Sequence, residues 1–94
     1  MGLLSQEQVD EALREGLSGW VRDGDAITRS VQAESFMDGI GFVRRVAEAA
    51  EEMNHHPDID IRWTTVTFTL STHSEGGLTE NDLTLARRID SLAP

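Results

Sequence analysis

No cysteine occurs among the 94 residues. The fold therefore has no disulfide staple, no thiolate metal site and no cysteine nucleophile. Lysine is absent too, so all eight positive charges are arginines; set against 17 acidic residues they leave a net charge of -9. So acidic a chain argues against nucleic acid, whose affinity comes mostly from neutralised phosphates. No apolar run approaches the ~20 residues of a membrane-crossing helix. The N-terminus also lacks the basic-then-apolar layout of a signal peptide. A soluble cytoplasmic protein with no membrane partner is expected. At 38% hydrophobic and 27% charged, residues 1–94 suit one globular domain with a modest core. Oligomerisation would be a natural source of further buried surface.

What is present divides into helices and strands by its punctuation. "SQEQVDEALREG" opens on Ser5 with Gln8 three residues on, a capping-box pair, and Gly16 is a plausible stop. "SFMDGIGFVRRVAEAAEEMN" opens on Ser35 with Asp38 in the matching place. "LTENDLTLARRIDSL" opens on Thr79 with Asp82 three on, and there Leu78 and Leu83 occupy the positions of a hydrophobic staple. The middle helix carries two apolar stripes at helical spacing. Phe36, Ile40, Val43, Ala47 and Ala50 form one; Phe42, Val46, Ala49 and Met53 form the other. One sheet needs only one stripe. The second is to be covered either by another helix of this chain or by a second subunit.

"LSGWVRDGDAITRSVQA" reads as two strands joined at Asp23-Gly24. "IDIRWTTVTFTLSTH" is rich in β-branched and aromatic residues. From Thr65 it alternates, with Thr65, Thr67, Thr69 and Ser71 on one face and Val66, Phe68 and Leu70 on the other. The isoleucines and Trp63 form a separate short strand before a turn near residues 62–65. Trp20 and Trp63 are expected in core or cross-strand packing, and "HSEGGLT" as the one flexible loop. The order α-β-β-α-β-β-α predicts an α+β domain, a four-stranded antiparallel sheet with helices on one face.

The chain has only three histidines, and all three fall at element ends, where functional groups collect on a rigid scaffold. His55 and His56 follow Asn54, a fair helix C-cap; His73 follows the last strand. Histidine, with an unperturbed pKa of about 6.5, suits proton exchange near neutral pH. Converging histidines could protonate a leaving oxygen and accept a proton elsewhere. Glu51, one helical turn before His55, could orient that imidazole. Plainer readings stand beside these. The pair can be polar residues of a turn, Glu51 a solvated charge, and Asp82 a capping residue. Three histidines and a carboxylate could also hold zinc. However, adjacent histidines lack the one-turn spacing that aims two imidazoles at one ion, so no metal site is expected.

Glu51-x3-His55-His56-Pro57, then Trp63 after five residues, His73 after nine more and Asp82 after eight more resembles the signature of the pterin-4a-carbinolamine dehydratase family. "GW" at 19–20, "DAITRS" at 25–30, "FVRRVAEAAE" and "TLSTH…GLT..D" agree, so the resemblance runs from about Leu17 to Ile89. It implies an enzyme that removes water from a 4a-hydroxytetrahydropterin, the product left by aromatic amino-acid hydroxylases, giving the quinonoid dihydropterin without metal or cofactor. It implies His55, His56 and His73 as acid-base and pterin-orienting groups, with His55 and His73 moving protons and His56 weighted to binding. Glu51 and Asp82 would support them. Pterin contacts would come from Asn54, His55 and His56 and from Ser71, Thr72, His73 and Ser74. The family fold is the one read above, assembled as homodimers or homotetramers. Some relatives are instead non-catalytic dimerisation or assembly modules, which leaves that alternative open. Asp58-Ile59 follows the His-His-Pro where some relatives carry an aromatic. Val31 and Ala33 also replace common aromatics.

Overall fold

The expected helix starts are capped in the computed structural model, which describes residues 2–94. Ser5 accepts the Gln8 N–H at 3.1 Å and the Gln8 side chain accepts the Ser5 N–H at 2.8 Å, opening α1, Gln6–Arg14. Ser35 accepts the Asp38 N–H at 3.0 Å, opening α2, Phe36–Met53. Before α3, Glu80–Leu92, the Asp82 carboxylate accepts the Thr79 N–H at 2.9 Å, and Leu78 and Leu83 are both buried. Each cap satisfies a donor that the first helical turn leaves without a partner.

The end of α2 sets the direction of the two adjacent histidines. Asn54 adopts the left-handed conformation (φ 49°), its N–H bonding the Glu51 carbonyl at 3.2 Å. The His55 N–H bonds the Ala50 carbonyl at 3.0 Å. This pair of bonds is the Schellman pattern, which satisfies the last carbonyls and turns the chain abruptly out of the helix.

Four strands form one antiparallel sheet: β1 Val21–Asp23, β2 Ala26–Gln32, β3 Asp58–Arg62 and β4 Thr65–Leu70, in the order β1-β2-β4-β3. Two hairpins are thus joined through α2, and the α-β-β-α-β-β-α order of an α+β domain is the one the sequence predicts. On β4, Val66, Phe68 and Leu70 are fully buried while Thr65, Thr67 and Thr69 are half-buried. The buried face meets Phe42 and Val46 of α2 and Leu85, Ala86 and Ile89 of α3 in one core cluster. Phe42 and Phe68 meet edge to face at 5.3 Å, a favoured aromatic geometry. No helix among the described residues is long and apolar enough to cross a membrane.

Three details differ from the sequence reading, and a fourth concerns a point it left open. The first hairpin turns on Gly24-Asp25, one residue later than expected, with Asp23 still paired to Ala26 and Gly24 at φ 62°. Trp20 is buried, its indole N–H donating to Asp90 at 2.8 Å, but Trp63 is 78% exposed at the tip of the β3–β4 hairpin. A positive φ of 51° there, where a side chain is strained, lifts the indole away from the core. The stretch after β4 is bonded rather than loose. It forms a 3₁₀ turn, His73–Glu75, closed by Thr72 N–H to the Gly77 carbonyl at 2.8 Å and followed by buried Leu78 and Thr79. Lastly, the stripe of Phe42, Val46 and Ala49 is buried, but Phe36 and Ala47 of the other stripe remain exposed. α3 lies instead along the Glu52 side of α2, where Arg88 donates to Glu52 at 2.9 Å.

Candidate active site

The abrupt exit from α2 decides which partner each adjacent histidine finds. His55 leaves the helix line and turns inward: its side chain is only 11% exposed, and its Nε2 lies 2.6 Å from Oδ1 of Asp82, which is fully buried. The other carboxylate oxygen, Oδ2, accepts the Thr72 hydroxyl at 2.7 Å and the Thr79 N–H at 2.9 Å. Three donors therefore surround one buried carboxylate, the arrangement that makes burying a charge tolerable. A carboxylate can only accept, so the Nε2 of His55 is the donor of that bond. Asp82 is at once the helix-capping residue and the holder of His55.

His56 points elsewhere. Its Nε2 meets the Glu51 carboxylate in a short contact, with both side chains more than half exposed. The expected pairing of Glu51 with His55 is therefore corrected. The one-turn relation holds only while the backbone stays helical, and the left-handed Asn54 ends it. Adjacent imidazoles engaged by different carboxylates diverge. No group of three His, Cys, Asp or Glu side chains that could hold a metal ion occurs among the described residues.

The second expected segment is joined to the first through Thr72. Its hydroxyl binds Asp82, and the next residue, His73, is exposed at the start of the 3₁₀ turn, with Ser74 exposed beside it. Ser71 is turned the other way, its hydroxyl donating to the Asp25 carbonyl at 2.8 Å. Asn54 serves as the helix cap. The residue missing from the sequence reading as a site component is Thr79. It is fully buried, its hydroxyl 2.8 Å from that of Thr72, and its only sequence signal was the T-x-x-D capping pair. A cleft lined by Leu3, Arg22, Asp25 and Gly77 borders the same segment but contains none of the histidines. The constellation can hold one imidazole in a fixed orientation beside a chain segment that carries another.

Comparison with known proteins bears on the chain as a whole. The family model described as pterin 4 alpha carbinolamine dehydratase matches residues 2–92. A Nocardia farcinica protein described as "Putative pterin-4-alpha-carbinolamine dehydratase" is 66% identical over 97% of this chain and 95% of its own length. One of the same description from Mycobacteroides abscessus is 59% identical over 97% and 96%. The crystal structure of a transcriptional coactivator/pterin dehydratase from Brucella melitensis superposes with a TM-score of 0.93 at 37% identity, covering 99% of this chain and all of that one. A pterin dehydratase-like protein described as a RuBisCO assembly factor in the alpha-carboxysome superposes at 0.70 with 27% identity, over 80% and 89%.

Proposed function

The chain belongs to the pterin 4 alpha carbinolamine dehydratase family, and we propose that it catalyses dehydration of a 4a-hydroxytetrahydropterin to the quinonoid dihydropterin by histidine acid-base chemistry. In such a carbinolamine the C4a–O bond breaks, the N5 proton departs, and the N5 electron pair forms the new double bond to C4a. Water and the quinonoid dihydropterin account for every atom, and no electrons leave the pair. The step needs a proton donor at the hydroxyl and an acceptor at N5, work typically worth about 10²–10⁴-fold in rate. His55 and His73 carry those protons, His56 helps hold the pterin with Asn54, and Glu51 and Asp82 support the imidazoles. The substrate would come from a pterin-dependent aromatic amino-acid hydroxylase in the same cytoplasm.

The observation that carries this reading is the buried Asp82 carboxylate against the Nε2 of His55. A histidine kept only for packing does not need a carboxylate held by two further donors. The test is the rate of 4a-hydroxytetrahydropterin dehydration, the substrate generated by a coupled hydroxylase, with wild type, His55→Ala and His73→Ala. Acceleration by wild type that both variants lose while folded supports the proposal. A pure, folded wild type that accelerates nothing sinks it and leaves a non-catalytic assembly role, like that described for the 27%-identical neighbour. We also propose a homodimer or homotetramer. The β3 edge is open, and Ile59 and Ile61, opposite buried Phe68 and Val66, stay partly exposed. Phe36 and Ala47 are exposed on α2. Light scattering that finds only monomer at micromolar concentration would refute this assembly.

A further inference from the structure

Thr72 is bonded at every polar atom it has. Its N–H donates to the Gly77 carbonyl at 2.8 Å, and its carbonyl accepts the Glu75 and Gly76 N–H groups at 3.0 Å. Its hydroxyl lies 2.7 Å from Oδ2 of Asp82 and 2.8 Å from the Thr79 hydroxyl. The hydrogen positions around it follow from counting donors. Thr72 has one hydroxyl hydrogen and faces a carboxylate that can only accept, so that hydrogen goes to Asp82. The Thr79 hydroxyl must then donate to the oxygen of Thr72. Oδ2 is filled by Thr72 and by the Thr79 N–H, and Oδ1 is left for His55. No buried side-chain polar atom among the described residues lacks a partner, so the network closes with no freedom of direction.

We infer that Thr72 is a positioning residue: it holds the Asp82 carboxylate that keeps His55 as the Nε2–H tautomer, and so fixes where Nδ1, the atom of His55 that accepts the proton, stands. The tautomer lock stands on geometry alone; the role of Nδ1 as proton acceptor rests on the dehydratase reading above. The same residue fixes the segment that starts with His73, so one side chain sets the relation between the two proton-carrying histidines. Every polar group of Thr72, backbone as well as hydroxyl, is thereby engaged within the protein.

The test is long-range ¹H–¹⁵N correlation of the imidazoles in the whole protein at a pH where His55 is neutral, together with turnover. Wild type should show His55 as a single Nε2–H tautomer. Thr72→Val removes the hydroxyl at nearly constant shape; Asp82 still only accepts, so the His55 tautomer should stay, but with Oδ2 short of a donor its Nε2–H signal should broaden and exchange faster with water. The variant's kcat should fall by about 10- to 100-fold, the scale of a misplaced reacting group, with KM little changed. Thr72→Ser, which restores the hydroxyl, should recover both signals. An Nδ1–H tautomer in wild type overturns the inference whatever the variants do, including a Thr72→Val protein that fails to fold. A folded Thr72→Val protein with an unchanged Nε2–H signal or wild-type kcat overturns it equally. A wild type with no dehydratase activity, but with a His55 Nε2–H that Thr72→Val loosens, supports the positioning role and sinks the proposed function instead.

Discussion

Asp82→Asn keeps the size and shape of a fully buried side chain and changes only which of its atoms accept and donate. The amide must choose an orientation. With its oxygen in the Oδ1 place, its NH₂ faces the Thr79 N–H and the Thr72 hydroxyl, which now sit 2.9 and 2.7 Å from an acceptor. The Thr72 hydroxyl can rotate to accept from that NH₂, but the Thr79 N–H cannot, and donor facing donor in a site with no access to water is the costlier choice. With its oxygen in the Oδ2 place, both those bonds survive and the NH₂ faces Nε2 of His55 instead. His55 can answer by moving its hydrogen to Nδ1. The variant should therefore fold, with the charge-assisted bond to His55 replaced by a neutral one at a cost of about 1–2 kcal/mol. For a domain of this size that lowers Tm by roughly 4–16 °C. Activity should suffer far more than stability. An inverted tautomer removes the accepting nitrogen, and in hydrolases where an aspartate orients a histidine the same exchange costs on the order of 10⁴-fold in kcat. A loss of at least about 100-fold is expected in the coupled hydroxylase assay. Differential scanning calorimetry and that assay on the same preparation decide it. An Asp82→Asn protein with kcat within about threefold of wild type would refute the idea that Asp82 sets the state of His55.

Phe42→Ala removes a fully buried ring that meets Phe68 edge to face; urea unfolding should show a loss of about 3–5 kcal/mol. Trp63→Gly places the residue that favours positive φ at a position with φ 51°, so stability should be unchanged or higher by up to about 1 kcal/mol. A clear loss instead would mean that the indole packs against something outside this chain. His56→Ala breaks an exposed contact with Glu51, so unfolding should move by less than about 0.5 kcal/mol. Steady-state kinetics should show a higher KM with kcat less affected, and a collapse of kcat alone would reassign His56 to proton transfer. Trp20 is buried and Trp63 exposed, so Trp63→Phe should remove the acrylamide-quenchable part of the fluorescence and leave a protected, blue-shifted remainder.

What was legible in the sequence was what neighbours in the chain decide. Ser5 with Gln8, Ser35 with Asp38 and Thr79 with Asp82 are pairs three residues apart, and each caps a helix where it was expected. The alternation of β4 is equally local, and its buried face is the one the pattern predicts. The partner of His55 was not legible. Asp82 lies 27 residues away, and the helical spacing that pointed to Glu51 fails one residue past the helix end. Trp63 misled for a related reason: aromatic residues favour strand interiors on average, but this one falls on the two-residue tip, where the turn alone sets its direction. The partly bare stripe of α2 could be seen as surplus apolar surface. The part left bare depends on where α3 settles, a matter of packing rather than of pattern.

The sheet order β1-β2-β4-β3 also sets when the site can exist during folding. Each hairpin closes over a two-residue turn and could form early, but the central pair, β2 with β4, joins Ile27 to Leu70 and Gln32 to Thr65. That pairing must close about forty residues of chain, including all of α2, before it is rewarded by contact. His55 belongs to the exit from α2, and Thr72 and Asp82 to the chain beyond β4, so their meeting belongs to the late, slow side of that closure. The hairpins can flicker on the microsecond scale of such units. The imidazole of His55 finds its carboxylate only when the whole domain has committed, and an N-terminal fragment emerging from synthesis carries His55 without the Asp82 that orients it.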